Sequence, residues 1–337
     1  PGVEQKIGSA GLAECLTLGA KAIGWEEKRS KPGTGTLRRG IGMCALMQGS
    51  AIPEIDLGAV HIKMNDDGSF NLTCGATDLG TGSDTILAQI AAEVLGVDET
   101  EVLVYSSDTD LTPFDVGAYA SSTTYLSGEA SRRAALAVAE QIREIASEMM
   151  ESHPDPATLV LKDKAVVAPD GSRVTLGEVG LRSLYQANQR QVAATGSAIS
   201  HKSPPPFSAH FVEVTVDIQT GQVRVVKYVA AVDCGTAINP KLAEGQVEGS
   251  VLNGISYALT EEYQFDDKGR MRNTGFNDYK IFGTQDTPEI QTILVPTWEE
   301  TGPYGAKSVS EICINGALPA ISNAIYDAVG VRLREGP

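Results

Sequence analysis

Apolar residues alternate or run together in short blocks along much of this chain, and the blocks predict strands. Positions 211–218 and 223–232 are rich in Val, Phe and Tyr and meet at Thr220-Gly221, which predicts two strands joined by a tight turn. Positions 59–64 and 69–74 flank Asn65-Asp66-Asp67-Gly68 and predict a hairpin. Further extended runs start at 40–45 and cover 102–106, 191–199 and 289–295, and a second hairpin is predicted over 158–173 around Pro169-Asp170-Gly171. Helical spacing takes over elsewhere. Leu12, Cys15, Leu16, Leu18 and Ala22 predict a helix over 11–24, and Ile314, Leu318, Ile321, Ile325 and Ala328 predict another. Helices are also predicted over 86–95, 129–150, 175–185 and 240–262. The resulting fold class is α+β: two α/β lobes with mixed sheets and packed helices. Residues 25–37 are charged and rich in Gly and Pro, and Lys202-Ser203-Pro204-Pro205-Pro206 breaks the pattern again. The expected division is an N-terminal helix and linker over 1–37, a first lobe over 38–200 and a second lobe over 201–337.

Charge narrows the function classes. With 27 Lys and Arg against 43 Asp and Glu, the net charge of −16 argues against nucleic acid or an anionic membrane as a partner. No apolar stretch is long enough for a transmembrane helix, and the opening Pro1-Gly2-Val3-Glu4-Gln5-Lys6 lacks the apolar segment of a signal peptide. Five scattered cysteines without a C-x-x-C pair fit a cytoplasmic protein with buried thiols, Cys234 included. Only four histidines occur, which disfavours a His-based metal site, and His61 is expected to be a plain sheet residue.

Three segments carry candidate chemistry. Gly302-Pro303-Tyr304-Gly305-Ala306-Lys307-Ser308-Val309-Ser310-Glu311 is a loop poor in bulky side chains that ends on a carboxylate at a helix start. Such a loop lets backbone approach a ligand closely. Glu311 is then either a helix cap or a general base. Asp78-Leu79-Gly80-Thr81-Gly82-Ser83-Asp84-Thr85 precedes a helix and reads as a tight turn or as an anion site of unpaired amides. Gly117-Ala118-Tyr119-Ala120-Ser121-Ser122-Thr123-Thr124 offers neutral hydroxyl donors, as a helix cap or as a ligand surface. There is also an internal echo. Asp78-Leu79-Gly80-Thr81 and Asp233-Cys234-Gly235-Thr236 both join a strand to a helix, which suggests two related units facing a shared ligand.

Taken with Asp233-Cys234-Gly235, Asn239-Pro240 and Gly245-Gln246-Val247-Glu248-Gly249, these segments resemble the molybdenum-cofactor subunit of the xanthine dehydrogenase and aldehyde oxidoreductase family. The resemblance implies a molybdenum-cofactor-binding domain. It implies a metal held by the pterin dithiolene sulfurs, with no direct protein ligand, and a cofactor in the molybdopterin cytosine dinucleotide form. Glu311 becomes the catalytic base that takes a proton during hydroxylation with water as oxygen source. Gly80, Thr81, Gly82, Thr85, Ser121, Ser122, Thr123, Asn239, Gln246, Gly305, Ala306, Lys307 and Ser308 become cofactor-binding residues. Tyr119, Ala120 and Ser310 become walls of the substrate pocket.

Thr81 stands where the family usually has Gln, which removes a carboxamide contact to the cofactor; Ser308 and Ser310 stand where it mostly has Gly, and their hydroxyls either bond a metal ligand, tune Glu311 or mark a variant subfamily with altered chemistry. The resemblance covers about the C-terminal half of the family's subunit. It therefore implies a large molybdopterin subunit carrying the other half, a 2Fe-2S subunit and an FAD subunit. This split resembles nicotinate dehydrogenase, whose medium subunit has this extent, with a small heterocycle as substrate. The competing readings are a non-catalytic scaffold half-subunit, an enzyme acting on an aldehyde, and an unrelated nucleotide-binding α/β protein resting on the Gly80–Gly82 turn alone.

Overall fold

Two four-stranded mixed sheets, each backed by helices, carry the chain, and a small third sheet lies beside them. The computed structural model describes residues 6–186 and 188–335, so the opening residues 1–5, on which the reading of the N-terminus partly rests, lie outside the described residues. In chain order the elements are α1 (Leu12–Ile23), α2 (Trp25–Lys28), β1 (Leu37–Met47), β2 (Leu57–Met64), β3 (Phe70–Cys74), α3 (Ser83–Leu95) and β4 (Val102–Ser106). Then follow α4 (Thr123–Met149), β5 (Val160–Lys162), β6 (Ala165–Val167), β7 (Arg173–Thr175), α5 (Leu176–Tyr185), β8 (Ala193–Ile199), β9 (Phe207–Asp217) and β10 (Val223–Asp233). The chain ends with α6 (Pro240–Leu259), β11 (Glu289–Leu294), α7 (Glu311–Asn315) and α8 (Ala317–Val329).

The first sheet has the order β4-β3-β2-β8 and packs α3 and α4 on one face. Strand β8 shows the alternation of a sheet solvated on its other face, with Gly196 and Ala198 inward and Thr195, Ser197 and Ile199 outward. The second sheet has the order β1-β9-β10-β11 and is covered on both faces, which is why β9 is buried almost throughout, its polar Ser208, His210 and Glu213 included. Phe211 and Ala209 face α1, while Val212, Val214 and Val216 face the side covered by α6 and α8. His210, in the same strand, is fully enclosed, and burial pushes its pKa down to about 3, so it stays neutral. Its Nδ1 lies 2.8 Å from the Tyr228 hydroxyl.

Three expectations are corrected. The lobe boundary at 200 does not follow the sheets, because β1 pairs with β9 along its whole length, from Leu37 opposite Asp217 to Met47 opposite Phe207. The N-terminal helix packs on β9 and β10. Pairing over such a sequence distance leaves no periodic trace in either segment. The hairpin around Pro169-Asp170-Gly171 forms from β6 and β7, and β5 adds a third strand that was not expected. Helix α4 starts six residues earlier than expected, at Thr123, with Gly128 inside it.

Candidate active site

Four helices begin at one cleft. Ser83 opens α3, Thr123 opens α4, Asn239 caps α6 and Glu311 opens α7, and all four residues line it. Its outer part, a cavity of about 140 Å³, lies between Thr81, Ser83, Ile86, Ala118, Ser121, Thr123, Thr124, Gln246, Val309, Ser310 and Glu311. Its inner part, about 50 Å³, adds Cys234, Thr236, Ala237, Ile238, Asn239, Leu242, Ala243 and Lys307. Converging helix N-termini favour an electron-rich ligand, and small neutral side chains leave room for it. Ser83 is 1% exposed and its Oγ has no hydrogen-bond partner among the described residues, a buried donor of the kind a bound cofactor satisfies.

Glu311 sits at the rim of this cleft. Its Oε2 accepts a 2.6 Å hydrogen bond from Gln48 Nε2, and its amide donates to Ser121 Oγ at 3.4 Å. The turn before it is strained. Ser310 holds φ 91°, and Ala120 and Ser121 hold φ 50° and 53°, conformations that cost an L-residue with a side chain. Such outliers gather where a site over-determines the backbone.

The loop that carries Glu311 is anchored from beneath. Lys307 is buried, its Nζ donates to Asp233 Oδ2 at 2.7 Å, and its amide donates to the Cys234 carbonyl at 2.8 Å. Asp233 also accepts from the Gly11 amide at 2.7 Å, the Gly235 amide at 3.0 Å and the Thr297 hydroxyl at 2.6 Å. Gly235 (φ 71°) is required here, since a Cβ would stand 2.2 Å from the Gly305 carbonyl oxygen. Gly305 accepts from the Thr236 amide, Ala306 pairs with Gly235, and Ser308 Oγ donates to the Gly49 carbonyl at 3.0 Å. Gly305, Ala306 and Ser308 therefore lock the loop and do not line the cleft; Lys307 lines only the inner part, with its ammonium spent on Asp233.

Other expected residues divide in the same way. Thr81, Ser121, Thr123 and Gln246 line the outer cleft, and Gln246 Nε2 reaches the Gly80 carbonyl at 3.4 Å. Gly82 packs against Leu242, and Thr85 is exposed on α3 away from the cleft lining. The unpaired amides expected in this turn are not free. Asp78 Oδ1 accepts from Gly80 N at 2.9 Å and Gly82 N at 3.2 Å, and Oδ2 accepts from Asp84 N at 3.3 Å. A tethered carboxylate is a standing competitor for any anion at these donors. Burial pushes the Asp78 carboxyl up, but the amides of Gly82, Gly80 and Asp84 outweigh it and hold the group below the usual range.

Asn239 caps α6 through Leu242 N (3.1 Å), and its Nδ2 reaches Gln89 Oε1 on α3 at 3.3 Å. Ser122 turns back on the Tyr119 carbonyl, and the Tyr119 hydroxyl is bound to Asp56 Oδ1 at 2.6 Å. Ala118, rather than Tyr119 or Ala120, forms the wall. Neither Ser308 nor Ser310 touches the Glu311 carboxylate; Ser310 Oγ lies 3.0 Å from Ser250 Oγ on α6. Gln48 and Ile86 lay outside the three candidate segments, and Ser83, Thr124 and Val309 lay within them without being singled out. Ser83 and Thr124 carried a local signal, as hydroxyls at helix starts. Cys234 is buried and its thiol is pushed up to about 11 by burial. Among the described residues no group of three or more His, Cys, Asp or Glu side chains could hold a metal ion directly.

This is the layout of a cofactor-binding domain with one carboxylate at the rim of its cleft. The molybdopterin cofactor-binding domain family matches residues 18–288. The chain is 39% identical over 328 residues to the probable hypoxanthine oxidase XdhD of Escherichia coli K12, covering 97% of this chain and 34% of the relative. It is 36% identical over 341 residues to the putative xanthine dehydrogenase molybdenum-binding subunit XdhA of the same strain, covering 99% of this chain and 45% of the relative. The reconstituted CO dehydrogenase from Oligotropha carboxidovorans superposes with a TM-score of 0.88 at 25% identity, over 96% of this chain and 43% of that one. The chain belongs to the molybdenum-binding subunits of the xanthine dehydrogenase and aldehyde oxidoreductase family, a family of molybdenum-dependent oxidoreductases. It spans about a third to just under half of the length of these curated relatives.

Proposed function

We propose that this chain supplies the catalytic base and part of the cofactor cradle of a molybdenum hydroxylase acting on an electron-poor carbon of an N-heterocycle, of nicotinate or purine type. The observation that carries the reading is Glu311: a carboxylate at the rim of the cleft, held by a neutral donor, with the nearby Lys307 ammonium sequestered by Asp233. A carboxylate so placed is free to accept a proton. Ser83, Thr81, Ser121, Thr123, Thr124 and Gln246 would hold a molybdenum pterin through neutral hydrogen bonds, in the cytosine dinucleotide form. When bound, that group supplies the oxygen-transfer and electron-accepting chemistry, with water as the oxygen source. The chain's own part is to shape the cavity, to orient the heterocycle against Val309, Ile86 and Ala118, and to take a proton at Glu311 Oε1 or Oε2.

The family resemblance implies that a larger molybdopterin subunit, a 2Fe-2S subunit and an FAD subunit would complete the enzyme. In the native complex purified through this chain, about one molybdenum per chain, with iron and a releasable pterin nucleotide, supports the proposal. An intact complex without molybdenum overturns it and leaves a scaffold. Turnover of aldehydes but not of nicotinate or purines overturns the substrate class alone.

A further inference from the structure

Gln48 belongs to no motif, yet it makes the shortest contact to the Glu311 carboxylate. It follows directly on β1, where its amide donates to the Pro206 carbonyl at 3.4 Å. Its side chain then meets both ends of α7. Nε2 donates to Glu311 Oε2 at 2.6 Å, and Oε1 accepts from Asn315 Nδ2 at 3.4 Å. The two ends of a carboxamide are chemically distinct. A carboxylate oxygen accepts, so Glu311 takes Nε2 and leaves Oε1 to the Asn315 Nδ2 donor. No other side chain is bonded to the Glu311 carboxylate among the described residues.

We infer that Gln48 is a positioning residue for Glu311. Its donor fixes one carboxylate oxygen and so selects one rotamer of a side chain that otherwise swings on three torsions. No hydrogen bond from the described residues engages the other oxygen of Glu311, which lines the cleft. The hydrogen bond spans 263 residues of sequence, so the end of β1 sets the aim of a carboxylate on α7. This inference rests on the reading of Glu311 as the base. Since Gln48 lies outside the cleft lining, its loss acts on the chemical step and leaves substrate binding alone.

The test compares Gln48→Met, Gln48→Glu and Glu311→Gln in the complete cofactor-loaded complex, together with a crystal structure of Gln48→Met. Met keeps the length and loses the donor. Glu keeps the shape and sets a second carboxylate against Glu311. The expected result is a kcat lowered about 10- to 100-fold in Gln48→Met, with KM within about twofold and molybdenum content unchanged. Gln48→Glu is expected to fall further, and Glu311 is expected to lose its single position in the Met variant crystal. A kcat within about twofold of the parent in Gln48→Met, equal activity in Gln48→Glu, or an unmoved Glu311 carboxylate overturns the inference. If Glu311→Gln is inactive while Gln48→Met is unaffected, only the role of Gln48 falls. If Glu311→Gln is fully active, the base reading falls and takes this one with it.

Discussion

Lys307 and Asp233 form an ion pair of 2.7 Å in which both side chains are fully buried, directly beneath the loop that ends in Glu311. Asp233 ends β10 and also receives the Gly11 amide before α1 and the Thr297 hydroxyl after β11. One carboxylate thus ties three segments distant in sequence to the loop that ends in Glu311. Burying two charges is costly, and the cost is repaid only because Asp233 is hydrogen-bonded from four sides. Lys307→Met leaves that carboxylate without its cation. The expected loss is about 3–5 kcal/mol, read by denaturant unfolding of the complete chain. A loss below about 1 kcal/mol would show the pair to be unimportant to the fold.

Ser310 and Ser250 give a prediction in which the sign matters. Ser310 adopts φ 91°, where an L-residue is strained, and its hydroxyl lies 3.0 Å from Ser250 Oγ. Ser310→Gly removes the strain together with the hydrogen bond, so its thermal midpoint should stay near the parent's. Ser310→Ala keeps the strain and loses the bond, and should cost about 1 kcal/mol. Ser250→Ala should match it. If Ser310→Gly proves the most destabilised of the three, the backbone here is not strained.

Asp78 gives a pH dependence. Its folded carboxyl lies below the usual range, so the stability it adds is fully present above the ordinary aspartate value and fades as pH falls through the lowered one. Asp78→Ala strips the acceptor from the Gly80, Gly82 and Asp84 amides and should cost about 0.5–2 kcal/mol at neutral pH. Unfolding midpoints at neutral and acid pH should converge between parent and variant as the acid end is reached. A constant gap would assign the effect to packing.

Glu311→Gln should lower kcat about 10²–10⁴-fold in the assembled enzyme while leaving molybdenum content and thermal stability near parent values. Glu311 opens only a five-residue helix, so its loss as a cap is minor. Loss of molybdenum in this variant would instead make Glu311 a cofactor-holding residue.

The cysteines supply a check on the core. Burial pushes the Cys15, Cys44 and Cys74 thiols up to about 12, Cys234 up to about 11, and Cys313 further still. The thiolate is the nucleophile, so the native chain should resist alkylation at pH 8 and expose all five thiols after denaturation. Mass spectrometry of the alkylated chain reads the result. Rapid native labelling of Cys234 would contradict its burial.

Local chemistry made much of this protein legible from sequence. Strand and helix periods, the turn at Asn65-Asp66-Asp67-Gly68 and the junction at Glu311 all depend on neighbours within a few residues. The echo of Asp78-Leu79-Gly80 in Asp233-Cys234-Gly235 proved geometric too: each aspartate accepts the amide two residues on, at 2.9 and 3.0 Å. Their further partners differ. Asp78 closes on its own turn, whereas Asp233 reaches Lys307, Gly11 and Thr297. Nothing local distinguishes the two, because the difference lies in what the fold brings near. The same holds for β1, which reads as a strand but joins the sheet of residues 207–294 only through pairing with β9. It holds most of all for Gln48. A glutamine after a strand has no pattern to mark it, and only tertiary structure set its amide 2.6 Å from Glu311.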